Sequence, residues 1–220
     1  MKQLLLDIAP PPQPTLENFV IGPNAEVLAQ LRALLSGQSH ERFVYLWGGT
    51  GCGKSHLLQA LAAAAQPWRV SLGLCSEDEA AACDLILVDD VLNLDAAGQS
   101  RLFNIMNRLR DGSGLLVVTG PFAPIHLKIR QDLSSRLAQC LVFQVKCLSD
   151  EDKAEALMTH ARGRGFTLPM DVAAYLLKHW RRDIPALLAV LDALDRYSLE
   201  VKRPVTVPLT REVLAQLPKD

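Results

Sequence analysis

The sequence predicts an α/β fold in which a parallel sheet is covered on both faces by helices and followed by a smaller all-α unit. Three observations carry this. Continuous apolar runs at residues 43–47, 85–88, 115–119 and 141–145 alternate with stretches of helical spacing, the pattern of strands buried on both sides. From Ser149 onward apolar residues recur at helical intervals, with one short strand or turn expected at Val205. Between the first run and the next helix lies Gly48-Gly49-Thr50-Gly51-Cys52-Gly53-Lys54-Ser55, which matches G-x-x-x-x-G-K-[ST].

The elements follow in order. A short head ending at Ile8 precedes prolines at 10, 11, 12 and 14. Proline fixes φ and donates no backbone hydrogen bond, so residues 1–15 are expected to be a head peptide and an extended linker. After Asn24, a predicted N-cap, Val27, Leu28, Leu31, Leu34 and Leu35 mark a helix stopped by Gly37. The first strand, the glycine turn and a helix from Ser55 to Ala65 come next. The second strand ends on Asp89-Asp90. Leu102, Phe103, Ile105, Met106 and Leu109 give a helix closed by Asp111-Gly112, and the third and fourth strands complete a domain expected over residues 16–148. In the remaining domain, 149–220, Ser149-Asp150-Glu151-Asp152 reads as a capping box. Pro169 opens a second helix through Leu177, and Leu187, Leu188, Val190, Leu191 and Leu194 mark a third. The short strand or turn at Val205 leads to a last helix from Thr210.

Composition excludes several classes. The 220 residues carry 23 Lys+Arg against 24 Asp+Glu, a net charge of −1, and neither domain is a basic arm. That argues against a DNA-binding domain held by bulk charge. No uncharged apolar run approaches the ~18 residues of a membrane span. Asp7 and the prolines interrupt the apolar head, so no signal peptide is expected. The five cysteines are scattered and form no CxxC pair. A zinc site or disulfide scaffold is not expected, and a reducing cytoplasm fits.

The glycine-rich loop carries the chemistry. Glycines let backbone N–H groups curl around phosphate oxygens, and the helix that follows adds its partial positive charge. Lys54 would reach the β- and γ-phosphates and the Ser55 hydroxyl would ligate Mg²⁺. A carboxylate at the end of a buried strand supplies the second half of such a site. Asp89 is assigned to the metal, and Asp90 to polarising an attacking water as general base.

These residues resemble the AAA+ ATPases of the replication initiator DnaA clade from Phe19 to near the C-terminus. Residues 18–24 look like the segment that cups adenine there, which puts Phe19 and Val20 with Gly48, Gly49, Thr50, Gly51, Cys52, Gly53, Lys54, Ser55 and His56 in the nucleotide set. The resemblance implies a P-loop AAA+ domain with a small all-α lid, binding ADP or ATP with Mg²⁺. Asp132-Leu133-Ser134-Ser135-Arg136-Leu137 is similar to the box that carries the clade's arginine finger, which would fall on Arg136. Segments 148–153 and 164–169 are similar to those of regulatory inactivators of DnaA, and the chain ends where the initiator continues into its DNA reader. Gln3-Leu4-Leu5-Leu6-Asp7-Ile8 is similar to the peptide that binds the bacterial sliding clamp, with Gln3, Leu4, Leu6 and Ile8 as the contacts.

The resemblance therefore implies a negative regulator of replication initiation. It would bind the DNA-loaded clamp of DNA polymerase III, act on DnaA-bound ATP, contact DNA through the clamp and lie in the cytoplasm at the nucleoid. No membrane partner is implied, and a homo-oligomer is compatible with it. An autonomous AAA+ ATPase or helicase-loader-like factor is the alternative. Alone, the head equally describes an apolar N-terminus packed on the body, and Arg136 equally a surface ion pair.

Two positions depart from the clade's pattern. Where it carries a polar sensor residue after the third strand this chain has Pro121, with Thr119 the nearby polar substitute. Where the lid carries a phosphate-contacting arginine it has Pro185, with Arg181 and Arg182 just upstream. Proline has no side-chain donor, so weak or absent intrinsic turnover is expected. His56 is expected to pack rather than act as a base, and Cys52 has no catalytic role.

Overall fold

The computed structural model describes residues 13–217, and in it the four apolar runs are strands joined by a fifth. The strands are β1 (Phe43–Trp47), β2 (Val70–Leu72), β3 (Leu85–Val88), β4 (Leu115–Gly120) and β5 (Leu141–Gln144). They pair in parallel in the order β2-β3-β4-β1-β5. Side chains alternate across a strand, so each central strand feeds two cores. Val44, Leu46, Leu85, Leu87 and Val117 pack with α1 (Ala25–Leu35) and α2 (Lys54–Ala64). Tyr45, Ile86, Val88, Leu116 and Val118 pack on the opposite side with α4 (Ala96–Asp111) and α5 (Gln131–Leu137). Continuous apolar strands are what a doubly covered sheet requires.

Three elements of this unit were not expected: β2, α3 (Glu77–Ala82) and α5, which carries the 132–137 box. β2 has three residues and lies at the sheet edge with Leu72 exposed, too short for a periodic signal. α3 does carry a written signature, a capping box between Ser76 and Glu79. Asn24 differs from expectation in another way: it precedes α1 but its side chain caps nothing. The amide, 1% exposed, donates to the Lys146 carbonyl at 2.9 Å and accepts the Lys146 N–H at 2.8 Å, fastening the start of α1 to the chain leaving β5. Arg42 closes the far end of α4, donating to the carbonyls of Leu109 (3.0 Å), Arg110 (3.0 Å) and Gly112 (2.5 Å).

The chain divides between Cys147 and Leu148. The second unit holds α6 (Asp150–Gly163), α7 (Met170–His179), α8 (Ile184–Val201) and α9 (Val207–Leu214) around its own core of Leu157, Leu176, Leu187, Leu191 and Val213. Ser149 caps α6 reciprocally with Asp152. Asp183 caps α8, with Pro185 in its first turn where no donor is needed. The predicted break at Val205 is corrected in part: no strand forms there. Thr206 caps α9 and Pro208 sits in its first turn, so the helix starts at Val207, three residues ahead of the predicted Thr210.

Candidate functional site

The loop between β1 and α2 owes its path to two close approaches and two left-handed glycines. A side chain on Gly48 would place its Cβ 2.2 Å from the Val145 carbonyl oxygen, so the loop runs tight against the chain leaving β5. Gly51 and Gly53 have φ of +76° and +98°, the left-handed region where a Cβ is strained. At Gly53 a Cβ would also lie 2.8 Å from the Phe19 ring. Phe19, 8% exposed, thereby closes over the start of α2, with Val20 half-buried beside it.

Lys54 folds over the loop, its Nζ donating to the carbonyls of Gly48 (2.7 Å) and Gly49 (2.9 Å). α2 has no side-chain cap at Gly53 and no acidic residue in its own first turn, which leaves backbone N–H groups at its start without a side-chain acceptor. His56 Nε2 lies 3.1 Å from the Thr15 carbonyl and its ring tilts against Phe19 with centroids 5.6 Å apart. Burial pushes this imidazole below its ordinary pKa, partly offset by the Thr15 hydrogen bond. His56 therefore joins Thr15 and Phe19 to α2, as a packing residue. Burial likewise pushes the Cys52 thiol up against the opposing pull of Lys54, which favours an unreactive structural cysteine.

Three side chains from distant parts of the sequence meet at the sheet's carboxyl edge. The Ser55 hydroxyl donates to Asp89 Oδ2 at 2.6 Å, and the Thr119 hydroxyl donates to Asp89 Oδ1 at 2.6 Å. Thr119 Oγ1 also accepts the Asp90 N–H at 2.8 Å. Because β4 lies between β3 and β1, Thr119 is next door to Asp89 although 30 residues separate them. Asp90 has φ +46°, and its Oδ1 accepts the Leu92 N–H at 3.2 Å, which fixes the carboxylate at the head of a short turn.

This arrangement fits a nucleoside polyphosphate and a hard divalent cation. Space is open around Gly51, the start of α2 is uncapped, and Lys54 is at hand. The Ser55 hydroxyl and the Asp89 carboxylate are hard oxygen donors of the kind Mg²⁺ takes together with phosphate oxygens. Among the described residues no group of three or more His, Cys, Asp or Glu forms a metal cage, so such an ion would rely on the nucleotide for part of its shell.

Arg136 lies elsewhere, in the last turn of α5. Its guanidinium carbon is 5.7 Å from the centre of the Phe103 ring and its Nη1 3.5 Å from Gln139 Oε1. The nearby carboxylate of Asp132 is taken by Arg130 at 2.5 Å, and among the described residues Arg136 makes no ion pair. Arg181 pairs with Asp183 at 3.1 Å and Arg182 grips both oxygens of Asp150, so each is engaged within the helical unit. Gln3, Leu4, Leu6 and Ile8 lie outside the described residues.

The family described as "Hda, lid domain" matches residues 150–214, and that described as "Bacterial DnaA ATPase domain" matches residues 11–71. The fold is similar to domain III of the replication initiation protein DnaA from Thermotoga maritima, with a TM-score of 0.72 and 20% identity over 95% of this chain and 100% of that one. The chain is an Hda-like AAA+ protein. A structure of DnaA bound to AMPPCP and single-stranded DNA is also similar, with a TM-score of 0.70 and 22% identity over 86% of this chain and 67% of that one. The A156S mutant of Thermotoga maritima RuvB has a TM-score of 0.66 and 18% identity over 94% and 73%. At these identities the structures speak for the AAA+ fold alone.

In this Hda-like protein, then, Lys54, Ser55 and Asp89 come together, with Phe19, Val20 and His56 beside the loop, while Arg136 stands apart on α5. Three contacts were not legible in advance: Thr119 on Asp89, Phe19 on Gly53, and Asn24 on Lys146. Only the first left a trace, a lone hydroxyl at the end of an apolar strand. Among the described residues no helix is long and apolar enough to cross a membrane.

Proposed function

We propose that this Hda-like protein is a negative regulator of replication initiation. It binds ADP or ATP with Mg²⁺ at the Gly48–Ser55 loop, tethers itself to the DNA-loaded sliding clamp through Gln3, Leu4, Leu6 and Ile8, and presents Arg136 to ATP-bound DnaA. DNA is reached through the clamp. An arginine supplied across an interface stabilises charge on the transferring phosphoryl group and can raise hydrolysis by ~10³–10⁵. The observation that carries this reading is the state of Arg136. It rests on Phe103 while Arg130 takes the one acidic side chain of its segment, so among the described residues no ion pair must break before it engages a partner's phosphate.

Within its own site, Lys54 and the uncapped start of α2 hold phosphate charge, Phe19 and Val20 wall the base, and Ser55 with Asp89 hold the cation. A bound Mg²⁺ supplies charge neutralisation at the β- and γ-phosphate oxygens. Asp90 acts on an attacking water as general base. With Pro121 and Pro185 at the positions where the clade has polar contacts, its own turnover is slow, and the bound nucleotide chiefly sets the state of the protein.

Hydrolysis of DnaA-bound ATP, measured with and without DNA-loaded clamp, tests this. Arg136→Ala and Gln3→Ala should each abolish the stimulation, the first at the chemistry and the second by loss of effective concentration. Stimulation unchanged in both variants would sink the mechanism. The complete set of Lys54, Ser55, Asp89 and Asp90 favours one second reading, an autonomous ATPase. Substantial turnover by the purified protein without clamp or DnaA would select it.

A further inference from the structure

We propose that Thr119 is a positioning residue that orients the Asp89 carboxylate for a divalent cation, a role that rests on the nucleotide and Mg²⁺ reading above. Thr119 is fully buried, so as it stands its hydroxyl reaches neither solvent nor a phosphate in the loop. It is therefore not a direct stand-in for the sensor side chain missing at Pro121. Its one proton goes to Asp89 Oδ1 at 2.6 Å, and its oxygen receives the Asp90 N–H at 2.8 Å.

Those two bonds do different things. The first engages the inward oxygen of Asp89 and fixes the plane of the carboxylate. Asp89 Oδ2 and the Ser55 hydroxyl, 2.6 Å apart, are then the pair of oxygens left for a cation. The second holds the backbone at Asp90, which sits at φ +46°, a strained conformation for a residue with a Cβ. One buried hydroxyl thus ties β4 to both acidic residues that end β3. Partners that orient metal ligands typically govern 10–100-fold in metal affinity.

The role predicts a side-chain specificity that plain packing does not. Serine keeps the donor and the acceptor and loses only a methyl group; valine keeps the shape and loses both. The test measures ADP affinity by calorimetry, titrating Mg²⁺ from EDTA-chelated to saturating, in the wild type, Thr119→Ser and Thr119→Val. Near-UV circular dichroism verifies folding, and Thr119→Ala replaces the valine variant if that one fails to fold.

In wild-type protein Mg²⁺ should tighten ADP. Thr119→Val should raise the Mg²⁺ concentration needed by about 10-fold or more, with affinity in EDTA within about twofold, and Thr119→Ser should stay close to wild type. A valine or alanine variant with wild-type Mg²⁺ dependence overturns the positioning role and leaves the nucleotide reading standing. Equal losses in EDTA and in Mg²⁺ overturn it too, because they mark a structural defect. Wild-type protein that binds ADP without any response to Mg²⁺, or does not bind it, overturns the metal reading and Thr119's role together, and does so before any variant is made.

Discussion

Replacing Asn24 with alanine removes an amide that is 1% exposed and makes two hydrogen bonds to one residue's backbone, to the N–H of Lys146 at 2.8 Å and to its carbonyl at 2.9 Å. Each such bond contributes about 0.5–1.5 kcal/mol net, and the orphaned groups are partly reached by water because Lys146 is itself exposed. The loss should therefore be about 1–3 kcal/mol, or about 4–10 °C in Tm for a unit of this size. Asn24→Asp keeps the acceptor but sets a carboxylate against the Lys146 carbonyl, and should be at least as destabilising at neutral pH. Thermal and urea unfolding give the size, and hydrogen exchange at the Lys146 amide localises it, since that proton should exchange faster in both variants. An alanine variant within about 0.3 kcal/mol of wild type, with Lys146 exchange unchanged, would refute the assignment of a fastening role to this amide.

Gly53→Ala should cost about 1–3 kcal/mol, because φ is +98° and the new Cβ would lie 2.8 Å from the Phe19 ring; ADP affinity should fall with it, and unchanged affinity would count against the loop as the phosphate site. Burial pushes the Cys140 thiol up to about 12, whereas Cys147 is exposed. Iodoacetamide at pH 8 should thus label Cys147 first and Cys140 only after unfolding, as read by peptide mass spectrometry. Burial of neutral His56 lowers its folded pKa below the unfolded value of about 6.5. Between those two values the unfolded chain binds more protons, so stability rises with pH across that window, is complete above it and is lost as pH falls. Urea midpoints at pH 5.5 and 7.5 should differ in the wild type by more than in His56→Gln, and equal differences would show that His56 is not the titrating group.

Strong periodic signals made most of this fold legible in the sequence. Val44 to Leu46, Ile86 and Val117 are buried from both sides of the sheet, and such strands announce themselves as unbroken apolar runs. β2 could not, because three residues at an exposed edge carry no period. α9 began earlier than expected because Thr206 and Pro208 start it, local chemistry that an apolar count passes over. In the site, the glycines, Lys54, Ser55 and Asp89 are bound to a recurring spacing and could be named in advance. Thr119 and Asn24 act through neighbours 30 and 122 residues away, and a linear sequence holds no distance between them.

The place of β4 has a consequence for how the protein is made. β3 touches the rest of the sheet only through β4, since its other neighbour is the edge strand β2. A nascent chain that has already emerged through Asp89 owns the loop lysine, the serine and the carboxylate, yet has nothing to hold β1 and β3 in one plane. The lysine, the serine and the carboxylate converge only once Leu115–Gly120 has slid into the gap. A ligand held by them recognises the finished sheet and not its precursors, and one present at 100 times its Kd would favour that state by about 2.7 kcal/mol. Nucleotide present while the chain is made would then act on late folding and on the lifetime of the completed chain, separately from anything it does for regulation.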